Sequence, residues 1–211
     1  MLGFFRKKQQ QTATPSCMGL GLGFSFDIDP LLLRVVEPEL IIDGAAASHI
    51  IQAVGKVSLD GTDIFRFYTD DEAFLQVVAQ GGNEAQHVVD VKLFHYYDTI
   101  DVSSESDWHA LLDQKIGHKH YHLHDREYTR VWQSASDYHP PVHMRETTYD
   151  GTGDASVTDQ FTMLFERPLS NEQTESLFLS AEESLNNGQI ERCFVRSTGI
   201  TLSPSQLTIN G

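Results

Sequence analysis

The hydrophobic positions of this chain fall in short runs rather than in long helical stripes. Ile50–Leu59 is rich in β-branched residues and stops at Asp60-Gly61, which is a strong signal for a tight hairpin. Similar runs at 62–68, 74–78 and 88–94 are separated by Gly, Asp and Asn. This spacing is typical of an antiparallel meander. We therefore expect the middle of the chain to be predominantly β.

One segment has helical spacing instead. Ser104 or Ser106 can cap its start, and Trp108, Leu111 and Ile116 recur on one helical face before Gly117. The pattern predicts a helix near 104–115.

The C-terminal half returns to strand-like runs. These lie at 128–132, 142–149, 161–165, 193–195 and 200–202. The segment 171–187 is ambiguous, because its glutamates suit a helix whereas Leu177-Phe178-Leu179 suits a strand. We favour the strand.

These patterns predict one α+β domain at 19–211, with a predominantly antiparallel β-sheet and one or two helices. Residues 1–18 have no hydrophobic period to bury and predict a disordered tail. No repeat of fixed period and no long interior linker separates a second domain.

Composition and charge limit the classes of function that the protein can have. The 211 residues include 30 Asp and Glu against 15 Lys and Arg, for a net charge of −15. An acidic chain repels phosphate backbones, so we expect no nucleic-acid partner.

The glycines at 19, 21 and 23 resemble a phosphate-binding loop, but a tail precedes them and a strand-like run follows, so we interpret them as a structural turn. The nucleotide, zinc-protease, hydrolase and calcium motifs are missing, which favours a non-enzymatic protein.

The sequence also limits where in the cell the protein can be located. No apolar run approaches the 18 or more residues that span a bilayer, and the N-terminal basic residues follow the apolar ones, unlike an export signal. Two cysteines, Cys17 and Cys193, do not make a disulfide framework. We expect a cytoplasmic protein.

A row of four histidines is the sharpest local feature. If 118–124 forms one strand, its two-residue period places them on one face. Tetrahedral zinc needs four donor atoms at about 2 Å from the metal, so a Zn or Ni site here would need ligands from other segments of the chain. The candidate metal ligands are His118, His120, His122, His124, Asp125, His139 and His143. The alternative, which we favour, is a solvent-facing polar row with no cofactor.

The N-terminus offers a second candidate site. An apolar patch is followed by three basic residues with no acid nearby, a pattern that can contact an anionic bilayer surface. The candidate membrane-contact residues are Leu2, Phe4, Phe5, Arg6, Lys7 and Lys8. A plain disordered tail is the alternative, and eight residues are too short for a firmly bound helix.

The order of several short segments resembles an uncharacterised bacterial family, the YjfK-like proteins, classed as a domain of unknown function. The resembling segments are 19–21, 26–27, 33–37, 67–77, 91–94, 128–132, 165–167 and 180–183. The resemblance supplies no catalytic residues. It implies an accessory role beside envelope-stress proteins at the inner membrane.

We therefore expect a non-enzymatic binding or adaptor protein of the bacterial cytoplasm, peripheral at the inner membrane, that acts with a protein partner. The alternative function is a metal-binding protein or metal-dependent hydrolase built on the histidine row.

Overall fold

A computed structural model describes residues 13–153, 155–170 and 172–211. Its two α-helices are α1 (Pro30–Val36) and α2 (Glu105–Ala110). Its strands are β1 (Ser25–Ile28), β2 (Ser48–Leu59), β3 (Thr62–Thr69), β4 (Ala73–Gln80), β5 (Val88–Asp101), β6 (His120–Leu123), β7 (Arg126–Arg130), β8 (Val142–Tyr149), β9 (Ala155–Pro168), β10 (Thr174–Asn186), β11 (Gln189–Thr201) and β12 (Leu207–Asn210). All pairings of these strands are antiparallel, so the predicted β-rich antiparallel architecture with one or two helices is confirmed.

Eight of the strands close into a ring, which the sequence did not predict. They follow the order β2-β3-β4-β5-β11-β10-β9, and β8 pairs with both β9 and β2. The closing seam is short, since only Val54–Lys56 of β2 pair with β8. Outside the ring, β1 and β12 extend from β2, while β7 and β6 extend from β9.

The predicted meander is confirmed as β2 to β5. Its first turn is Asp60-Gly61, whose φ angles of 49° and 79° are the left-handed values that a two-residue hairpin turn needs. The ambiguous segment forms β10, as favoured. The two separate runs predicted at 193–195 and 200–202 are parts of the single strand β11.

The predicted helix is also confirmed. Ser104 caps it, with its Oγ accepting a hydrogen bond of 3.0 Å from the Asp107 backbone N–H, and the acids of its first turn complement the helix dipole. After Ala110 the helix widens into a π-helical turn at Leu111–Lys115. Trp108 is buried and contacts Phe161 of β9 edge to face at 5.8 Å, which fixes α2 against the outside of the ring.

Helix α1 is a feature that the pattern did not indicate. Asp29 caps it, Pro30 fills its first position, and Leu33 and Val36 are buried. Its seven residues make fewer than two full turns, too few for a helical period to stand out in the sequence.

The predicted tail boundary at residue 18 is wrong. Cys17 is fully buried in a core cluster with Leu20 and Phe26, and its backbone N–H bonds to the Leu20 carbonyl. The packed structure therefore already includes Cys17. The sequence did not indicate this, because Thr14, Pro15 and Ser16 before it show no hydrophobic period.

Hydrophobic packing lies mainly on the outside of the ring. One cluster joins the outer faces of β2 to β5 to α1, β1 and the 17–22 segment. A second joins β9 to β11 to α2, β6 and β7. The peripheral elements therefore cover the ring's apolar outer surface. Inside the ring, polar side chains lie beside two smaller apolar clusters, one of Phe74, Phe94 and Phe178 and the other of Val57, Ile64 and Met144.

Candidate functional site

The ring interior contains a buried ionic network centred on Arg66 of β3. Its Nη1 donates to Glu146 Oε2 at 2.8 Å and to Gln160 Oε1 at 2.5 Å, and its Nε donates to Gln76 Oε1 at 3.0 Å. The Tyr68 hydroxyl donates to the other oxygen of Glu146 at 2.8 Å. This arrangement follows from strand alternation, because Arg66 and Tyr68 face inward while Phe65 and Phe67 face the outer core.

The network is structural rather than a ligand site. Burial is the largest single influence and would lower the pKa of Arg66, but Glu146, Tyr68 and Glu182 together outweigh it, and the net pKa lies above the ordinary value. The free space beside it is about 10 Å³, which holds roughly one water molecule. The Arg66 charge is therefore fully paired, and the network holds the strands in position and leaves no room for a substrate.

The open end of the ring at which β9 begins and β10 ends offers much more space. We call this the upper end. Two clefts of about 600 and 740 Å³ meet there, and both are lined by Thr158, Ser184, Ile190 and Glu191. The β10–β11 hairpin, which turns at Asn187-Gly188, borders both clefts.

The upper end is acidic. Its clefts are lined by six carboxylates and two arginines: Asp101, Glu105, Asp159, Glu182, Glu183, Glu191, Arg145 and Arg192. Arg192 is already paired, with Glu183 at 2.6 Å and with Glu105 at 2.8 Å. Burial raises the pKa of Glu182, which lies deepest, beside Ser180 and Gln160. Cationic ligands are the ones that this lining favours.

An exposed apolar row lies on the rim of the same end. Leu185 of β10 and Ile190 of β11 are directly opposite each other and are 72% and 59% exposed. Val157 of β9 is 40% exposed and immediately precedes Thr158, the first residue of β9 that pairs with β10. Apolar side chains in neighbouring positions, rimmed by charges, mark protein interaction sites.

Cys193 borders this end but is a poor nucleophile. Burial, with smaller contributions from Glu182 and Asp101, raises the pKa of its thiol to about 11. A neutral thiol in acidic surroundings disfavours cysteine catalysis there.

A buried histidine pair lies outside the ring, beneath β1. His49 donates its Nδ1–H to the Asp71 carboxylate at 3.0 Å and stacks on Phe26. Its Nε2 and the Nε2 of His95 are both buried without a hydrogen-bond partner, and the two rings lie 6.2 Å apart. Burial, assisted by His49, lowers the pKa of His95 to about 4. His95 therefore stays neutral at neutral pH, and both rings belong to the packing of β1 on the ring.

The predicted histidine row is only partly on one strand face. His120 and His122 are both exposed and approach Glu127 at 3.5 and 3.1 Å. His124 instead occupies the hairpin turn with a φ of 54°, and His118 precedes β6 in a bridge to Tyr138. The prediction of one face is wrong for these two, because β6 is only four residues long.

The additional donors proposed for a metal lie elsewhere. His139 Nδ1 is 2.6 Å from the Pro140 carbonyl, and His143 pairs with Asp159 at 2.8 Å. Across the described ranges, no group of three or more His, Cys, Asp or Glu is placed to hold a metal ion. A Zn or Ni site stays a prediction that this geometry does not support.

The predicted membrane-contact residues, Leu2, Phe4, Phe5, Arg6, Lys7 and Lys8, lie outside the described residues. In the part of the chain that is described, no helix is long and apolar enough to cross a bilayer.

Neither the interior network nor the upper end was predicted from the sequence. The signal for the first was Arg66, a charged residue alternating with aromatic ones inside a strand. The signal for the second was Leu185 and Ile190, apolar residues on both sides of the Asn187-Gly188 turn, where polar residues are usual.

Comparisons with known proteins agree with the resemblance noted in the sequence. The chain is 30% identical to "Uncharacterized protein YjfK" of Escherichia coli (strain K12), with both chains covered completely. No solved structure matches. The model of a family described as "Protein of unknown function (DUF2491)" matches residues 4–208. The chain therefore belongs to the DUF2491 family of proteins of unknown function.

Proposed function

We propose that this protein is a non-enzymatic binding protein that docks a protein partner at its upper end. The observation that carries the proposal is the exposed row of Val157, Leu185 and Ile190 beside clefts lined mainly by carboxylates. A partner with an apolar anchor and basic residues complements both features. The filled ring interior and the neutral Cys193 thiol give no comparable support to an enzyme.

The proposed setting is the bacterial cytoplasm, with the protein acting as an adaptor at the inner membrane. The bacterial relative supports a bacterial source, and the cytoplasmic location rests on the sequence alone. The second rests on the N-terminal sequence, in which Phe4 and Phe5 precede three basic residues. The partner would then be envelope-associated, as expected for an accessory of envelope-stress proteins.

The docking surface is tested with paired variants of the full chain. Val89 of β5 is 58% exposed, almost the same as Ile190, but lies near the opposite end of the ring, so Val89→Asp is a matched control. Proteins captured from native extract by the wild type are identified, purified and titrated against each variant. We expect Leu185→Asp and Ile190→Asp to weaken direct binding at least about tenfold. Equal binding by these variants and Val89→Asp would contradict the proposed surface.

The membrane part has its own test. Full-length wild type and the double variant Phe4→Ser/Phe5→Ser are floated with vesicles of anionic phospholipid, at low and high salt. The proposal predicts that the wild type floats at low salt and that the variant does not. Equal flotation of the two proteins would remove the membrane from the proposal and leave the docking surface standing.

A further inference from the structure

The two strands that border one upper cleft separate before they end. Pairing between β9 and β10 stops at Thr158 and Ser184. Beyond these positions, in the described part of the chain, Ala155–Val157 pair only with β8, and Leu185–Asn186 pair only with β11. The 740 Å³ cleft is lined by both diverging segments.

Backbone directions show that this gap has hydrogen-bonding groups on both sides. The Arg192 carbonyl accepts from the Val102 N–H, so Arg192 directs its backbone groups toward β5, away from β10. Alternation gives Ile190 the same direction, and Leu185 directly opposite it must point away from β11, into the gap. The same alternation, carried across the Glu183–Asp159 pair to β9, points the backbone groups of Val157 into the gap from the other side.

Charge selects what can enter. The gap is flanked by Asp159, Glu183 and Glu191, with Arg145 as its one lining cation among the described residues. Asp159 is engaged by His143 and Glu183 by Arg192. Among the described residues, Glu191 accepts one long side-chain hydrogen bond, of 3.2 Å from the Asn186 amide, so its carboxylate is open to an incoming cation.

We propose that the gap between β9 and β10 takes up an extended, basic segment of the protein partner as an added strand. The backbone groups of Val157 and Leu185 pair with the segment, its apolar residues cover the exposed row, and its lysines or arginines meet Glu191 and the carboxylates around it. This inference rests on the proposed function and specifies the chemistry of the partner segment.

The test uses the full chain and three synthetic nine-residue peptides. The first alternates Lys and Val, the second is the same peptide with its central amides N-methylated, and the third alternates Glu and Val. We expect the first to bind at concentrations below about 1 mM. N-methylation removes the N–H donors without changing charge, so we expect it to weaken binding at least about tenfold, and the Glu peptide not to bind.

Protein variants locate the site. Glu191→Lys should weaken binding of the Lys peptide, and Leu185→Asp should weaken binding by removing an apolar contact. Val89→Asp should leave the affinity unchanged. Equal affinity of the methylated and unmethylated peptides, or no binding of the Lys peptide, overturns strand addition. If the partner captured from extract still needs Leu185, docking at the upper end survives that failure, so the two proposals fail separately.

Discussion

Arg66 and Glu146 form a buried ion pair at 2.8 Å, with side chains only 1% and 2% exposed. Removing one member leaves the other charged and uncompensated, which costs about 3–5 kcal/mol. We therefore expect Arg66→Met to lower the free energy of unfolding by about that amount, measured by urea titration. The double variant Arg66→Met/Glu146→Gln should recover part of the loss.

The surface pair Lys56–Asp63 is the control for this experiment, because both side chains are about one-third exposed. Lys56→Met should change the free energy of unfolding by less than about 1 kcal/mol. Losses of similar size for the buried and exposed pairs would show that the interior network does not hold the ring together.

His95 makes folding sensitive to acid. Burial, then His49, lower its folded pKa from 6.5 to about 4, and the nearby Asp71 carboxylate opposes them. The unfolded chain therefore takes up this proton first. The contribution of neutral His95 is complete above pH 6.5 and is lost as the pH falls toward 4, with an upper limit of about 3 kcal/mol.

We expect His95→Gln to flatten the fall in unfolding free energy over this pH range, since glutamine cannot be protonated. His109→Gln is the control, because that side chain is 70% exposed. The comparison between variants cancels the titration of the other carboxylates and histidines. A wild type and a His95→Gln variant with parallel pH profiles would contradict the buried neutral histidine.

At the scale of elements, the short seam between β2 and β8 imposes a strict steric requirement on one residue, Gly55. A Cβ on Gly55 would lie 1.7 Å from Glu146 Oε1, so only glycine leaves room for the carboxylate that Arg66 needs. We expect Gly55→Ala to lower the free energy of unfolding by about 1–3 kcal/mol, the usual range for overpacking. Gly21→Ala, whose Cβ would meet its nearest neighbour at 3.9 Å, is the control and should be close to neutral.

Local pattern was sufficient for most elements but not for their closure. The β2–β5 meander and α2 depend on neighbouring residues, such as the Asp60-Gly61 turn and the Ser104 cap, and both are confirmed. The ring depends on β8 meeting β2, strands separated by more than eighty residues along the chain, and no local period records such a pairing. The interior network was not predicted for the same reason, because Arg66 and Glu146 come together only when the ring is closed.

The candidate site was predicted less well than the fold. The histidine row attracted attention as a compositional cluster, yet the short β6 and its turn direct His118 and His124 away from a shared face. The upper end is assembled from the termini of four strands, β5, β9, β10 and β11, and its exposed apolar residues are recognisable only when their exposure is known.

For the whole molecule, the covered outer faces and the filled interior leave the upper end as the surface best suited to a partner. Six of the 30 acidic residues line the clefts at this end, beside the exposed apolar row. A basic, partly apolar partner would gain both association rate and affinity at this end.

The most direct measurement is site-specific photo-crosslinking in the native host. A photoreactive amino acid replaces Leu185 at the upper end or Val89 near the opposite end, and adducts are identified by mass spectrometry. The account predicts a discrete protein adduct from position 185 that is absent from position 89. An adduct from position 89 with none from position 185 would contradict docking at the upper end.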